Sequence, residues 1–272
     1  RENKTILEIE IPPFRPDIVG EADIVEEIIR IYGFDKIPLK KITSNEEKIQ
    51  ILTSSIKTYH KSKKIIAEEG YSEVVTWSFM DGNKAKILFN DLISLQNPIS
   101  SDLNTMRPST IPNLLEAINQ NKSRMYTRAK IFEVGPNFSK FIDDYQENVA
   151  SAILYGPIDE ENWLSNRKNS DVFTAKADLF SVLTSLNVPT DNLLYDKIDD
   201  KIYHPGKSST LRLGKNLIAK FGELHPILLK TMDVNIKVYG FEIYLDNISQ
   251  FQENKSFSRG GFTNNPYQMV ER

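Results

Sequence analysis

The order of the strand-like segments is the feature that most constrains the fold of this chain. β-Branched and aromatic residues concentrate in segments separated by turns or by single helices. The clearest pair flanks the turn at residues 214–216, where apolar residues alternate on both sides and predict an antiparallel hairpin. The regular alternation of strand and helix that builds a parallel sheet is missing. The sequence therefore predicts an α+β domain organised on an antiparallel sheet flanked by helices.

The remaining elements follow from hydrophobic spacing and from turn residues. Strands are predicted at residues 1–11, 72–79, 128–134, 149–155 and 239–245. Helices are predicted at residues 45–69 and 172–186, after the capping residues Ser109 and Thr110, and from Pro226.

A short helix that ends at Gly33 carries several carboxylates. Asp23, Glu26 and Glu27 fall at i, i+3 and i+4 and so share one helical face, while Asp17 lies in the proline-rich segment before it. Two interpretations stay open. Acidic residues complement the positive N-terminal end of a helix, and they also provide the oxygen ligands that magnesium prefers.

Two histidines, His204 and His225, lie near Glu223 and could form an acid/base or metal group. Each histidine precedes a proline, however, and no nucleophile or third ligand accompanies them at a useful spacing. A tight turn and a helix start explain them better. Similarly, we favour a solvated face over an RNA contact for the lysine-rich helix at residues 45–69.

The composition excludes several classes of protein. There is no cysteine, so disulfides, thiolate zinc sites and cysteine nucleophiles are excluded. The net charge of −3 provides no global basic field for a nucleic acid. We expect no membrane span, because no apolar stretch is long enough, and we expect a cytoplasmic protein. The ends of the sequence suggest a fragment of a longer chain.

Several motifs resemble a known family. From Pro12, the pattern P-P-F-R-x-D and then E-x-D-I-V-E-E-I-I-R-I-Y-G-F-D-x-I-P is similar to the beta chains of bacterial phenylalanine–tRNA ligases. The resemblance continues through N-P-I-S-x-x-x-x-x-M-R-P-S, K-I-F-E-V-G, H-P-G-K-S-S and G-E-L-H-P, in family order, to about Leu245. It implies a class II aminoacyl-tRNA synthetase fold.

The resemblance also implies a domain organisation and a metal site. Residues 1–38 would end a winged-helix-like module, residues 39–250 would form the synthetase-like core, and residues 251–272 would begin a truncated ferredoxin-fold anticodon-binding domain. In the family, acidic residues at the positions of Asp17, Asp23, Glu26 and Glu27 are associated with magnesium shared with the alpha chain.

The catalytic signatures of class II synthetases are missing from the matching segments. Residues 130–135 lack the arginine that holds the ATP α-phosphate, and residues 239–244 lack the glycine-rich motif ending in Glu-Arg. The resemblance therefore implies a core with no catalytic residues, which supports ATP-dependent attachment of phenylalanine to tRNA(Phe) by the alpha chain in an alpha2beta2 heterotetramer. The alternative is a free-standing class II-like module that binds RNA or protein.

The family also suggests where a partner binds. Class II folds pair through the first-motif region, which corresponds here to residues 45–79 and 97–121. We expect an apolar interface on this region, and its apolar helix positions are Ile111, Leu114, Leu115 and Ile118.

Overall fold

The computed structural model describes residues 8–40, 52–122, 126–140, 146–158 and 168–254. The chain divides into two compact units, Arg1–Gln50 and Ile51–Arg272. The first unit contains the helix α1 (Glu21–Tyr32) and a short 3-10 helix at Phe34–Lys36. Helix α1 ends at Gly33, as predicted, and the glycine adopts φ 108° and ψ 123°. Residues 8–11 form no strand, so that prediction is wrong for them, and residues 1–7 lie outside the described part.

The strands of the second unit are β1 (Ser72–Glu73), β2 (Phe79–Met80), β3 (Thr105–Met106), β4 (Ala129–Phe138), β5 (Gln146–Tyr155), β6 (Leu194–Asp196), β7 (Tyr203–Leu213), β8 (Asn216–Leu224) and β9 (Tyr239–Tyr244). Seven of them form one sheet in the order β1-β4-β5-β9-β8-β7-β6. Only β1 and β4 are parallel; the other neighbouring strands in this sheet are antiparallel. Strands β2 and β3 form a separate antiparallel pair. The predicted α+β class and the antiparallel hairpin are confirmed.

Helices cover both faces of this sheet. They are α2 (Ser54–Glu68), α3 (Gly82–Leu88), α4 (Ile111–Lys122), α5 (Val172–Ser185), α6 (Pro226–Thr231) and α7 (Leu245–Asn254). On the first face, α2, α5 and α7 pack on a row of side chains in register, which includes Phe132, Ala152 and Phe241. On the second face, α3, α4 and α6 pack on the alternate positions, such as Ile131 and Ile153. None of the described helices has the length and apolar character needed to cross a membrane.

The single strand predicted for residues 72–79 is wrong, because β1 and β2 are separated by five residues without regular structure. The carbonyl group of Trp77 accepts from the side chains of Asn113 and Arg107 instead of joining a ladder. The helix predicted for residues 45–69 begins at Ser54, and residues 45–51 lie outside the described part. Helix α7 was not predicted, and it includes residues 251–254 of the expected linker.

Candidate functional site

The acidic residues of the first unit have separate roles. Asp23 folds back over the start of α1, where its Oδ2 atom accepts hydrogen bonds from the backbone N–H groups of Val19 and Gly20, each at 2.9 Å. These hydrogen bonds lower the pKa of Asp23. Asp23 therefore satisfies backbone donors just before the helix, as the first of the two open interpretations predicts.

Arg15 lies between Asp17 and Glu27. Its Nη2 atom is 2.7 Å from a carboxylate oxygen of each residue, and Arg30 binds the second oxygen of Glu27 at 2.5 Å. The hydrogen bonds from Arg15 lower the pKa of Asp17 and, together with those from Arg30, the pKa of Glu27. The two carboxylates are thus brought together, but around a guanidinium group.

The four predicted ligands do not converge on one point in this arrangement. Glu26 is exposed, and Asp23 is bonded to backbone rather than turned toward Asp17 and Glu27. Within the described part of the chain, no group of three or more acidic, histidine or cysteine side chains could hold a metal ion. The residues as placed therefore do not by themselves fit a magnesium ion, which would require Arg15 to move away or oxygen ligands from another chain.

The second unit contains a row of polar side chains across the second face of the sheet. Cross-strand pairing places Glu133 beside Ser151, Ser151 beside Glu242, and Glu242 beside Lys220. Most of these side chains are buried between apolar neighbours. The full polar row comprises Glu133, Ser151, Glu242, Lys220, Thr210 and Asp196.

At one end of the polar row, Arg107 is almost completely buried against Glu133. Its Nη1 atom donates to the Glu133 carboxylate at 2.8 Å and to the Thr76 hydroxyl at 2.9 Å, and its Nε atom donates to the carbonyl of Pro136 at 3.0 Å. The guanidinium lies over Gly135, where a Cβ atom would approach Arg107 Nη2 to 2.6 Å. Glycine is needed there because any side chain would displace the arginine.

Further along the polar row, Lys220 donates to Asp200 at 2.9 Å. The Glu242 carboxylate accepts from the Ser109 hydroxyl at 2.8 Å, and burial raises the pKa of Glu242 while Lys220 opposes that rise. Among the described residues, the cations Arg107, Lys220 and Arg212 contact this row or its edge, and each is paired with a carboxylate of the same chain. They are poorly placed to bind an anionic ligand.

Sequence reasoning missed the polar row. Its signal was one acidic residue within each of two largely apolar strands, Glu133 in β4 and Glu242 in β9. These strands contain the segments at which the class II signatures were expected, and both present a carboxylate at the row.

The histidines have the structural roles favoured from the sequence. His204 Nδ1 accepts from the backbone N–H of Gly206, and His225 Nδ1 accepts from that of Ile227 at the start of α6. Their ring centroids are 6.3 Å apart. Glu223 does not join them in an ion pair, because it binds Lys207 at 2.9 Å.

The prediction that the apolar positions of α4 form a partner interface is wrong. The side chains in question are fully buried against the second face of the sheet: Ile111, Leu114, Leu115 and Ile118. Periodicity identified the apolar side of α4, but that side covers the core of its own unit. Other apolar residues in the same segments are exposed, among them Val75, Trp77 and Ile99.

Comparison with known proteins gives two family matches. Residues 40–245 match the phenylalanyl tRNA synthetase beta chain CLM domain, and residues 1–34 match the tRNA synthetase B5 domain. The chain is 35% identical over 268 residues to the phenylalanine–tRNA ligase beta subunit of Rhodospirillum rubrum, and 36% identical over 276 residues to that of Bartonella quintana. Each alignment covers 98% of this chain and 34% of the relative, so the chain spans about a third of their length.

Among solved structures, a pyrrolysyl tRNA synthetase from Desulfitobacterium hafniense superposes with a TM-score of 0.60 at 14% identity. The match covers 76% of this chain and 70% of that one. At this identity the likeness shows the fold alone, which is that of class II synthetases.

Proposed function

Since the chain belongs to the phenylalanyl-tRNA synthetase beta-chain family, we propose that it forms the non-catalytic core of a phenylalanine–tRNA ligase beta subunit. In the complete enzyme, the alpha subunit would attach phenylalanine to tRNA(Phe) with ATP, and two copies of each subunit would assemble in the cytosol. The relatives' name, phenylalanine–tRNA ligase beta subunit, supports this assignment.

The polar row is the observation that carries the non-catalytic role. A class II active site needs fixed cations to neutralise the triphosphate and the developing charge. Here the two strands that correspond to the catalytic motifs place Glu133 and Glu242 at the row, and Arg107 is bound to Glu133. Carboxylates at these points repel phosphate. Helix α4 also packs on the same face and occupies part of it with apolar side chains.

ATP–pyrophosphate exchange tests this proposal. The purified chain should show no phenylalanine-dependent exchange, whereas the alpha subunit together with its complete beta subunit should show it. Exchange by the chain alone at a rate near that of the complete enzyme would contradict the proposal.

We propose that magnesium binds in the assembled enzyme. Asp17, Asp23, Glu26 and Glu27 would contribute to that site only with oxygen ligands from the alpha subunit. The need for further ligands is supported by the hydrogen bonds that already engage Asp17, Asp23 and Glu27, and by the reluctance of magnesium to lose its water ligands. The limits of the family matches, at residues 34 and 40, support the domain assignment of residues 1–38 and 39–250, whereas the compact units divide between residues 50 and 51.

Exposed apolar side chains near β1 are candidates for the contact with the alpha subunit. Val75 and Trp77 alternate in the segment between β1 and β2, and their side chains are 87% and 66% exposed. Large exposed aromatic residues are typical anchors of protein interfaces. We therefore place the interface on this segment rather than on the buried side of α4.

A further inference from the structure

A cavity of about 360 Å³ lies beside the polar row on the second face of the sheet. Its wall combines side chains from the row with others from β5, β9 and the segment after α3. Its ionisable and hydroxyl-bearing side chains include Asp91, Glu147, Asp200, Lys220, Glu242 and Tyr244. Four carboxyl groups thus face one ammonium group, and the cavity has an excess of negative charge.

Most of the charged groups in this cavity already have partners. Lys220 donates to Asp200, whose other oxygen accepts from the backbone N–H of Ile202 at 2.9 Å. Asp91 accepts from the Ser139 hydroxyl at 2.7 Å. Glu242 accepts from Ser109, as described above. These groups form the fixed wall of the cavity.

Glu147 is different, because no hydrogen bond joins its carboxylate to any described residue. Burial, followed by the charges of Glu242 and Asp246, raises the pKa of Glu147 to about 7, against the opposing effect of Lys220. The carboxylate therefore lies in the cavity wall without a compensating donor.

Tyr244 provides an independent observation. Its side chain is only 8% exposed, and it lines the cavity, yet its hydroxyl has no hydrogen-bond partner among the described residues. Burial and the carboxylates of Glu242, Glu147 and Asp200 raise the pKa of this hydroxyl, which places it among the acidic groups of the wall. The hydroxyl is therefore a hydrogen-bonding group of the cavity wall that a bound ligand can use.

The chemistry of that partner follows from the spacing of the wall. The carboxylates do not converge as metal ligands within the described part of the chain, and the volume is in the range of small-molecule sites. We propose that the cavity binds a small organic cation, whose ammonium or guanidinium group donates to the Glu147 carboxylate and the Tyr244 hydroxyl. The fixed wall of Asp200, Lys220 and Glu242 orients the ligand.

Binding is linked to pH through Glu147. The charged groups that face it are Glu242 on β9, Asp246 on α7 and Lys220 on β8. A bound cation favours the ionised form of Glu147, so affinity for the cation rises as the pH rises through about 7. A site formed by exposed carboxylates alone would already be fully ionised at that pH.

Calorimetric titration of the full chain with agmatine, which carries a guanidinium and an ammonium group, tests the proposal. We expect agmatine to bind more tightly at pH 8 than at pH 6. Glu147→Gln should weaken binding by about tenfold, since one charge-assisted hydrogen bond is lost, and it should reduce the pH dependence, to which Glu242 also contributes. Tyr244→Phe keeps the ring and should also weaken binding. Glu68→Gln, which changes an exposed carboxylate on α2 at the opposite face, should bind as the parent chain does.

Circular dichroism checks that each variant is folded. If Glu147→Gln is not folded, Tyr244→Phe provides the test. The proposal is wrong if agmatine does not bind at millimolar concentration, or if Glu147→Gln and Tyr244→Phe bind it normally. Equal binding of the uncharged analogue n-pentanol would show an apolar site instead. Competitive displacement of agmatine by magnesium would show a metal site and would also overturn the proposal.

Discussion

Arg107 and Glu133 form a buried ion pair, in which Arg107 Nη1 lies 2.8 Å from Glu133 Oε1 and the side chains are 1% and 6% exposed. The same guanidinium binds Thr76 and the carbonyl of Pro136, so it fastens the segment between β1 and β2 to strand β4. Arg107 therefore holds the chain away from the sheet after β1. It also neutralises the carboxylate at the first position of the polar row.

Loss of this arginine should be strongly destabilising. Arg107→Met leaves the Glu133 charge buried without its partner, and we expect the free energy of unfolding to fall by about 3–5 kcal/mol. Urea unfolding followed by circular dichroism measures the change. The control is Arg212→Met, because the pair of Arg212 and Asp196 is exposed and should contribute about 0–1 kcal/mol. Equal losses in the two variants would contradict a special role for the buried pair.

Glu147 should make stability depend on pH. The pKa of Glu147 is raised from 4.5 to about 7 in the folded state. The stabilisation that this group adds to the free energy of unfolding is therefore fully present below about pH 4.5 and is lost as the pH rises through 7. Glu147→Gln removes the titrating group, so this loss of unfolding free energy at high pH disappears. After allowance for partial exposure, we expect the variant to gain about 1–2 kcal/mol relative to the parent chain at pH 8.

At pH 4.5 the two proteins should have nearly the same free energy of unfolding. Denaturant titrations at both pH values measure the difference, and comparison within each pH cancels the other titrating groups. A constant difference across this range would mean that Glu147 titrates normally.

The backbone at Gly222 leaves no room for a side chain. A Cβ atom there would lie 2.4 Å from Ser208 Cβ and 2.6 Å from the carbonyl oxygen of Lys207, and φ is +156°. We expect Gly222→Ala to cost about 3 kcal/mol or more, because strands β7 and β8 must separate. Gly214→Ala is the matched control: its φ is +62° but the space is open, so only about 1 kcal/mol should be lost. Similar melting temperatures for both variants would argue against the close approach.

Magnesium should have little effect on the chain alone. Arg15 occupies the space between Asp17 and Glu27, so millimolar magnesium should leave the thermal unfolding of the isolated chain unchanged. In the assembled enzyme, the double variant Asp23→Asn, Glu27→Gln should lose magnesium-dependent stability. The proposed metal role fails if that enzyme keeps the parent's stability at every magnesium concentration.

Local sequence signals predicted much of the fold. Strands β4 and β5 and helix α5 follow from β-branched runs and helical spacing, and Pro226 begins α6 as expected. The break between β1 and β2 was not predictable, because it depends on Arg107, which is about thirty residues away and donates to the carbonyl groups of Trp77 and Ser78. In the segment between β1 and β2, tertiary contacts determine the backbone conformation against the β-propensity of the residues.

The candidate sites were harder to predict for a related reason. Register decides which residues of separate strands are neighbours, so the polar row could not be read from Glu133 and Glu242 alone. Likewise, the spacing of Asp23 and Glu27 on a helix does not reveal Arg15, which arrives from the preceding turn. Apolar periodicity showed which side of α4 is buried. It did not show whether that side packs on the sheet of its own unit or on another chain.

Copurification with an alpha subunit tests the central claim most directly. The chain should coelute from a size-exclusion column with a coexpressed phenylalanine–tRNA ligase alpha subunit, at equal stoichiometry. Trp77→Glu, which alters an exposed side chain, should abolish coelution while the chain stays folded, whereas the control Tyr126→Glu, at a comparably exposed ring, should coelute normally. Failure of the parent chain to associate with the alpha subunit in any buffer that keeps both folded would contradict the account.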